Sequence, residues 1–426
     1  MAKYNLREIA ADTLIEIIEH GEFSHIYLKQ VLDKYAYFEK NERAFLTRLV
    51  NGTVERKIEL DYIIMIYSKT PRKKRKPMIR TLLRMGAYEI YYMDAIRQAA
   101  TCDEYVKLAK KRGFQGLSGF LNGVLRNIAR GSDKALEYSD LSVKYSMPKW
   151  IVEKWTKDYG IDKAEEICKN LLEPQKGLPV RINTAAVEPE EFRKRLEAEN
   201  ISCEMDTEIH EAAYLSDFDS VGNIKAFNEG LFYVQDYSSM QVVHSAEIKE
   251  GFNILDVCSA PGGKALHAAE CLKGTGKVLA RDLTDKKVSL IRENIAKSGL
   301  NNIEAQVWDA TQKDKYAVDC YDLVMADVPC SGLGIIRKKP DIKYHESLEQ
   351  TEELARLQAQ ILDVICSYVK KGGTLMYSTC TINKQENELQ MEDFLNAHPE
   401  FEKVFDRQLF PSERQDGFYL CKLVRK

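Results

Sequence analysis

Residues 252–272 read FNILDVCSAPGGKALHAAECL, and this stretch decides the fold of the larger part of the chain. Its first residues, up to Asp256, have the apolar character of a short buried strand; a run of small residues follows, then a helix with apolar spacing. Strand, glycine turn and helix in that order open a doubly wound sheet, whose ligands sit at the carboxyl ends of the strands. Gly262 and Gly263 let the backbone approach a ligand closely, and the helix behind them offers unpaired N–H groups. The loop is not a phosphate-binding Walker loop, because Ala265 follows Lys264 and the G-x-x-x-x-G-K-[ST] spacing is absent.

Three further strands end on acids. KVLARD ends at Asp282, twenty residues beyond Gly262; IEAQVWDA ends near Asp309; YDLVMADVPC reaches Asp327. An acid in the position of Asp282 can accept hydrogen bonds from both ribose hydroxyls of a nucleoside. Any one of these acids reads equally well as a helix N-cap. Four in succession, counting Asp256, favour a common site. The fourth strand runs into Asp327-Val328-Pro329-Cys330-Ser331-Gly332 and the fifth, GGTLMYSTCT, into Ser378-Thr379-Cys380-Thr381. A lone cysteine is more often a small buried hydrophobe. Two of them, each just past the carboxyl end of a strand, are expected to open into one cleft.

The first third of the chain differs from this. Leu6, Ile9, Ala10, Thr13, Leu14 and Ile17 recur at helical spacing, and similar segments cover 41–55, 77–92, 98–112 and 116–130. Residues 1–130 hold 24 Lys and Arg against 15 Asp and Glu, whereas the remainder holds 38 against 50. That asymmetry points the helical part toward a polyanion. Lys69, Arg72, Lys73, Lys74, Arg75, Lys76, Arg80 and Arg84 occur without an intervening acid, a run expected to bind phosphate. A polar linker at 130–140 leads into a small α+β module over 145–240, with helix-like segments at 148–173 and 188–199 and strand-like ones at 179–182 and 231–234. Ten cysteines without a C-x-x-C pair, and only seven histidines, argue against a metal site. No apolar run approaches the ~20 residues of a membrane span. The opening MAKYNLREIAADTLIEIIEHG reads as an amphipathic helix and not as a signal peptide, so the expected location is the cytoplasm.

The segments LDVCSAPGGK, MADVPCSG and YSTCT resemble the motifs of the RNA cytosine-C5 methyltransferases of the Sun/RsmB/NOL1 group. The likeness extends to QDYSSMQVV, GIIRKKPDIKY and DGFYLCKLVRK, and the helical first third resembles a NusB-like RNA-binding domain. Val328 stands where that family usually has alanine, and Arg281 where an apolar residue is more common. The resemblance implies a multidomain protein: an all-α NusB-like domain over 1–130, a small α+β RNA-binding module over 145–240, and a Rossmann-like class I methyltransferase domain over 241–426. It implies S-adenosyl-L-methionine as methyl donor and no metal. It further implies a small-subunit (16S) rRNA substrate, free or early in assembly, methylated at cytosine 967 by an enzyme able to act as a monomer. Following the family, Cys380 is the nucleophile that adds to the pyrimidine, Asp327 holds or protonates N3, and Cys330 assists product release. Cys258, Ser259, Ala260, Pro261, Gly262, Gly263 and Lys264 form the loop under the methionine part of the cofactor. Asp282 is placed on its ribose and Asp309 on its adenine amino group, with Asp327 bordering both ligands. Arg337, Lys338 and Lys339 are expected to grip RNA backbone near the target. The reverse use of the two cysteines stays open, as do a phosphate-facing Lys264, a tRNA or other rRNA substrate, an N-methyltransferase, and a non-catalytic RNA-binding assembly factor.

Overall fold

In the computed structural model, which describes residues 4–93 and 97–426, the amino-terminal region is built of helices at Leu6–Glu19, Ser24–Lys34, Lys40–Glu55, Lys57–Tyr67, Pro77–Tyr92, Gln98–Lys111 and Ser118–Gly131. The first begins where the Asn5 side chain accepts from the backbone N–H groups of Arg7 and Glu8, at 3.0 and 3.2 Å. Its buried stripe of Ala10, Leu14 and Ile17 joins Leu46, Leu49, Leu60, Ile63, Leu82, Leu83, Leu121 and Leu125 in one core. The segment read as 148–173 is two helices, Lys149–Tyr159 and Ile161–Asn170, because Gly160 sits between them at φ 86°.

Two units divide the chain: Met1–Leu172 with Ile336–His345, and Glu173–Ile335 with Glu346–Lys426. The short limb 336–345 is bound into the helical unit by polar contacts. Asp341 accepts from the Ser24 N–H at 2.9 Å and from the Ser24 hydroxyl. Lys343, fully buried, donates to the Glu55 carbonyl oxygen at 2.7 Å, and burial pushes its ammonium down to about 7. Arg337 donates to the Asn170 carbonyl oxygen at 2.9 Å, so this member of the expected backbone-gripping run is engaged within the protein.

The basic run at 69–84 is not uncompensated, as its sequence suggests. Arg84 is buried and grips Asp61 through two bonds of 2.8 Å; Arg72 pairs with the same carboxylate at 3.0 Å, and Arg80 pairs with Glu19. Arg75 is buried against the Thr70 carbonyl oxygen. The acids come from helices elsewhere in the sequence, so half of the run is structural. Lys69, Lys73, Lys74 and Lys76 stay exposed.

The second unit holds two sheets. The small one contains β1 (Leu178–Ile182), β2 (Ser202–Met205), β3 (Ala212–Ser216) and β4 (Phe232–Val234) in the order β2-β3-β1-β4, paired antiparallel, with the helix Pro189–Ala198 beside them. The large one contains β5 (Asn253–Asp256), β6 (Lys277–Asp282), β7 (Ile303–Val307), β8 (Tyr321–Asp327), β9 (Val369–Thr379), β10 (Phe401–Leu409) and β11 (Phe418–Arg425). Its order is β10-β11-β9-β8-β5-β6-β7. Strands β5 to β9 pair parallel, as the strand–helix alternation predicts, but β10 and β11 add antiparallel, which makes the sheet mixed. The order reverses on either side of β5 and β8, which is the switch point where such sheets bind ligands. A buried Arg181–Glu270 pair, and His267 to Glu211 at 3.0 Å, tie the small sheet region to the helix Gly263–Cys271. No helix among the described residues is long and apolar enough to cross a membrane.

Candidate active site

The carboxyl ends of β5, β6, β8 and β9 bring together most of the residues singled out from the sequence. The register pairs Asp327 of β8 with Ser378 of β9, so the loops that follow leave the sheet side by side. Strands in a sheet lie about 4.8 Å apart. Cys330 and Cys380, three and two residues beyond that pair, place their sulfurs 3.3 Å from each other. Cys330 is held well above the ordinary thiol range, first by the hydrogen bond with Cys380 and then by burial, with Cys380, Glu386 and Asp327 adding negative charge.

Asp327 lies beside the thiols. Its Oδ2 accepts from Lys264 Nζ at 2.7 Å and its Oδ1 from the Ser378 hydroxyl at 2.8 Å. Burial lowers the Lys264 ammonium, but the charge and hydrogen bond of Asp327, with Asp256 and Cys380 nearby, outweigh it and raise the group. Lys264 is thus paired with an acid, the contact that one of its two sequence readings requires.

The glycine loop turns between β5 and the helix Gly263–Cys271 with Gly262 at φ 103°, a left-handed value that suits glycine. The Ser259 N–H donates to the Arg281 carbonyl oxygen, and the Ala260 N–H donates to Asp282 Oδ2 at 2.9 Å. Asp282 also accepts from the Leu283 N–H at 2.8 Å and from Lys287 at 3.0 Å. Both Thr311 bonds to Asp309, 2.9 and 2.7 Å, end on Oδ1. Asp256 is buried, and neither of its oxygens accepts a hydrogen bond of normal geometry among the described residues. Burial pushes this carboxyl up to about 7 although the Ser259 hydroxyl lies near enough to oppose the rise. Cys258 sits amid Asp256, Asp282 and Asp327, and burial followed by those three charges pushes its thiol up. Carboxylates gathered under a glycine turn fit a nucleoside that carries positive charge, as a sulfonium and an amino-acid ammonium do.

Arg281, whose role was not legible in the sequence, faces the other way. It pairs with Asp314 at 2.6 Å and Gln306 at 2.8 Å and lies over the Trp308 ring, 4.7 Å from its centroid. A cavity of about 860 Å³, lined in part by Asn253, Lys277, Asn302 and Tyr321, opens at the amino ends of the strands and so on the edge opposite the thiols. Among the described residues no cluster of three or more His, Cys, Asp or Glu is suited to a metal.

Sequence reasoning missed Gln358, Glu386 and Asn387. Glu386, fully buried, accepts from the Ser331 N–H at 2.9 Å, Asn383 Nδ2 at 2.8 Å and Gln358 Nε2 at 3.0 Å, and also from the Ser331 hydroxyl. The only signal was an acid in the short turn after Cys380.

Comparison with known proteins agrees with this geometry. Residues 244–424 match the family model described as 16S rRNA methyltransferase RsmB/F, residues 4–130 the NusB family, and residues 147–221 the ferredoxin-like domain of RsmF/B-like methyltransferases. The Bacillus subtilis protein named "Probable ribosomal RNA small subunit methyltransferase B" is 35% identical over 451 residues, covering 100% of both chains. The Proteus mirabilis protein named ribosomal RNA small subunit methyltransferase B is 29% identical, covering 99% of each. Among solved structures, PH0851 aligns over 99% of both chains with a TM-score of 0.82 and 23% identity. NSun6 from Pyrococcus horikoshii aligns over 65% of this chain and 98% of its own, with a TM-score of 0.60 and 21% identity. The chain thus belongs to the ribosomal RNA small subunit methyltransferase B family of S-adenosylmethionine-dependent enzymes.

Proposed function

We propose that this chain methylates C5 of cytosine 967 in small-subunit (16S) rRNA through a covalent bond between Cys380 and C6 of the base. The observation that carries the reading is the pair of sulfurs 3.3 Å apart with the Lys264–Asp327 pair beside them. S-adenosylmethionine, when bound, supplies an electrophilic methyl group on a sulfonium. Cytosine C5 is too weak a nucleophile to take it unaided. Attack of the Cys380 thiolate on C6 makes the ring enamine-like and places negative charge toward N3. Asp327, held in place by Lys264, faces that charge and holds or protonates N3. Once C5 carries the methyl group its proton passes to water in the cleft, the C5–H electron pair re-forms the C5–C6 double bond, and the C6–S bond breaks with Cys380 departing as thiolate. Cys330 stands 3.3 Å from the departing sulfur, within hydrogen-bond reach of it, and assists its release. Cys380 as nucleophile follows the family resemblance, and the reverse pairing is the alternative that adduct trapping distinguishes.

For the cofactor, the loop Cys258, Ser259, Ala260, Pro261, Gly262, Gly263 and Lys264 lies under the methionine moiety, with Asp282 on ribose, the remaining oxygen of Asp309 on the adenine amino group, and Asp327 at the border with the base. All of these groups lie in the second unit, so a monomer suffices. A base already unpaired, or flipped out at modest cost, is what such a cleft admits. We therefore favour free or early-assembling rRNA, met in the cytoplasm. Deleting the gene should remove one 5-methylcytosine from total RNA, at position 967 of 16S rRNA, and the purified protein with labelled S-adenosylmethionine should restore it on that RNA. A lost site in tRNA or large-subunit rRNA would move the substrate. No lost site at all would leave a non-catalytic RNA-binding role.

The NusB-like region supplies RNA affinity in this reading, through the exposed Lys73, Lys74 and Lys76. Changing these three to Gln should weaken rRNA binding and reduce the slope of log K against log salt by about 2, near 0.7 per lost phosphate contact. An unchanged slope in a filter-binding series would show that the three lysines do not meet phosphate.

A further inference from the structure

We propose that Glu386 and Asn387 act as a two-pronged clip that fixes the distance between the Cys330 and Cys380 sulfurs, which makes both of them positioning residues for methyl transfer. Asn387 holds the Cys380 loop by the residues on both sides of the cysteine, and Glu386 holds the Cys330 loop at Ser331 directly and at Pro329 through Gln358. On the Cys330 side, Glu386 accepts from the N–H and hydroxyl of Ser331. Gln358, which donates to Glu386 at 3.0 Å, also donates to the Pro329 carbonyl oxygen at 2.9 Å. On the Cys380 side, Asn387 Oδ1 accepts from the Thr379 hydroxyl at 2.6 Å, and Asn387 Nδ2 donates to the Thr381 carbonyl oxygen at 3.1 Å. A cross-strut closes the frame. The one Ser331 hydroxyl proton goes to Glu386, so in the 2.7 Å contact between Ser331 and Thr381 the Thr381 hydroxyl is the donor.

The chemistry of the turn explains the residue types. Glu386 meets donors at both oxygens: the Ser331 and Gln358 N–H groups at one, the Ser331 hydroxyl and Asn383 amide at the other. Only an ionised carboxylate accepts on both sides; a glutamine would set its own N–H₂ against buried donors. Asn387 must accept from one threonine and donate to the other, which an amide does and a carboxylate does not. Ser331, Thr379, Thr381, Gln358, Glu386 and Asn387 are all buried, so the frame is shielded from competing water. The clip also places a negative charge beside Cys330, one of the causes that push that thiol up after the Cys380 hydrogen bond and burial.

The catalytic consequence rests on the two-thiol reading above, but the spacing can be read without it. Diamide takes up two hydrogens as two neighbouring thiols join, leaving the disulfide and the reduced hydrazide. The wild-type protein should lose two alkylatable thiols under diamide, and peptide mass mapping should find Cys330 joined to Cys380. Glu386→Gln and Asn387→Ala should each form that disulfide about ten-fold more slowly, and methyl transfer should fall about 10²-fold in kcat, as expected for misplacement by about 1 Å. KM for S-adenosylmethionine and for rRNA should stay within about two-fold, since neither residue borders the glycine loop. Ser331→Ala, which removes one bond to Glu386 and the cross-strut but keeps the Ser331 N–H bond, should show the same changes in smaller measure if the other variants fold poorly. Failure of the wild-type protein to form this disulfide would overturn the proposal, as would unchanged disulfide rates in all three variants. Retention of methylation by Cys380→Ala would instead overturn the catalytic reading and leave the spacing result intact.

Discussion

Cys380→Ala should abolish methyl transfer, by at least about 10³-fold, the scale on which removal of a covalent nucleophile is felt, and should leave no RNA bound to the protein on a denaturing gel. Cys330→Ala should do the opposite in one respect: it should turn over poorly yet accumulate a protein–RNA adduct that survives denaturation. The asymmetry follows from the proposed division of roles. The two sulfurs touch at 3.3 Å, so each can act on the same bond. In the proposed mechanism Cys380 is the sulfur that attacks, and Cys330 the group that helps it depart. With Cys330 removed, addition and methylation proceed and elimination stalls. Trapping of RNA by Cys380→Ala, with none in Cys330→Ala, would reverse the two roles.

Gly334→Ala is expected to be nearly as damaging although Gly334 bears no reacting group. Its N–H donates to the Cys380 carbonyl oxygen at 3.1 Å, and its own carbonyl oxygen accepts from the Gly417 N–H at 3.0 Å. A methyl group there would overlap the Gly417 carbonyl oxygen and come within 2.9 Å of the Cys380 carbonyl oxygen. Backbone cannot yield as a flexible side chain does. Both hydrogen bonds would have to part, at an overpacking cost of about 1–3 kcal/mol and with the Cys380 loop pushed aside. Single-turnover methylation should fall about 10²-fold, with a lower Tm and little change in RNA binding. Activity within about three-fold of wild type would show that this approach of loops does not matter to the chemistry.

Much of this was legible in the sequence because a parallel sheet gathers its strand ends. Once 252–272 reads as strand, turn and helix, Asp282, Asp327, Cys330 and Cys380 have one common place to go, and the structure puts them there. The clip was not legible: Glu386 and Asn387 act on residues 55 and 8 positions away in sequence, and no local pattern marks such reach. The basic run misled for a related reason. Its acids, Asp61 and Glu19, lie on other helices, so counting charge along the chain could not reveal which cations were already satisfied. Strands β2 and β3 escaped because SCEM and AAYLS carry few of the β-branched and aromatic residues that mark LPVRI and FYV as strands.

The limb at 336–345 bears on how this protein can be taken apart. Its Asp341, Lys343 and Tyr344 find Ser24, Glu55 and Lys57 as partners, all from the first sixty residues. A fragment beginning at residue 173 would keep every thiol and acid of the reaction and yet expose a stripped ten-residue loop rooted just past Cys330. The gene is thus not a linear string of separable modules. Evolution or an engineer exchanging its front half must carry a piece of the back half along.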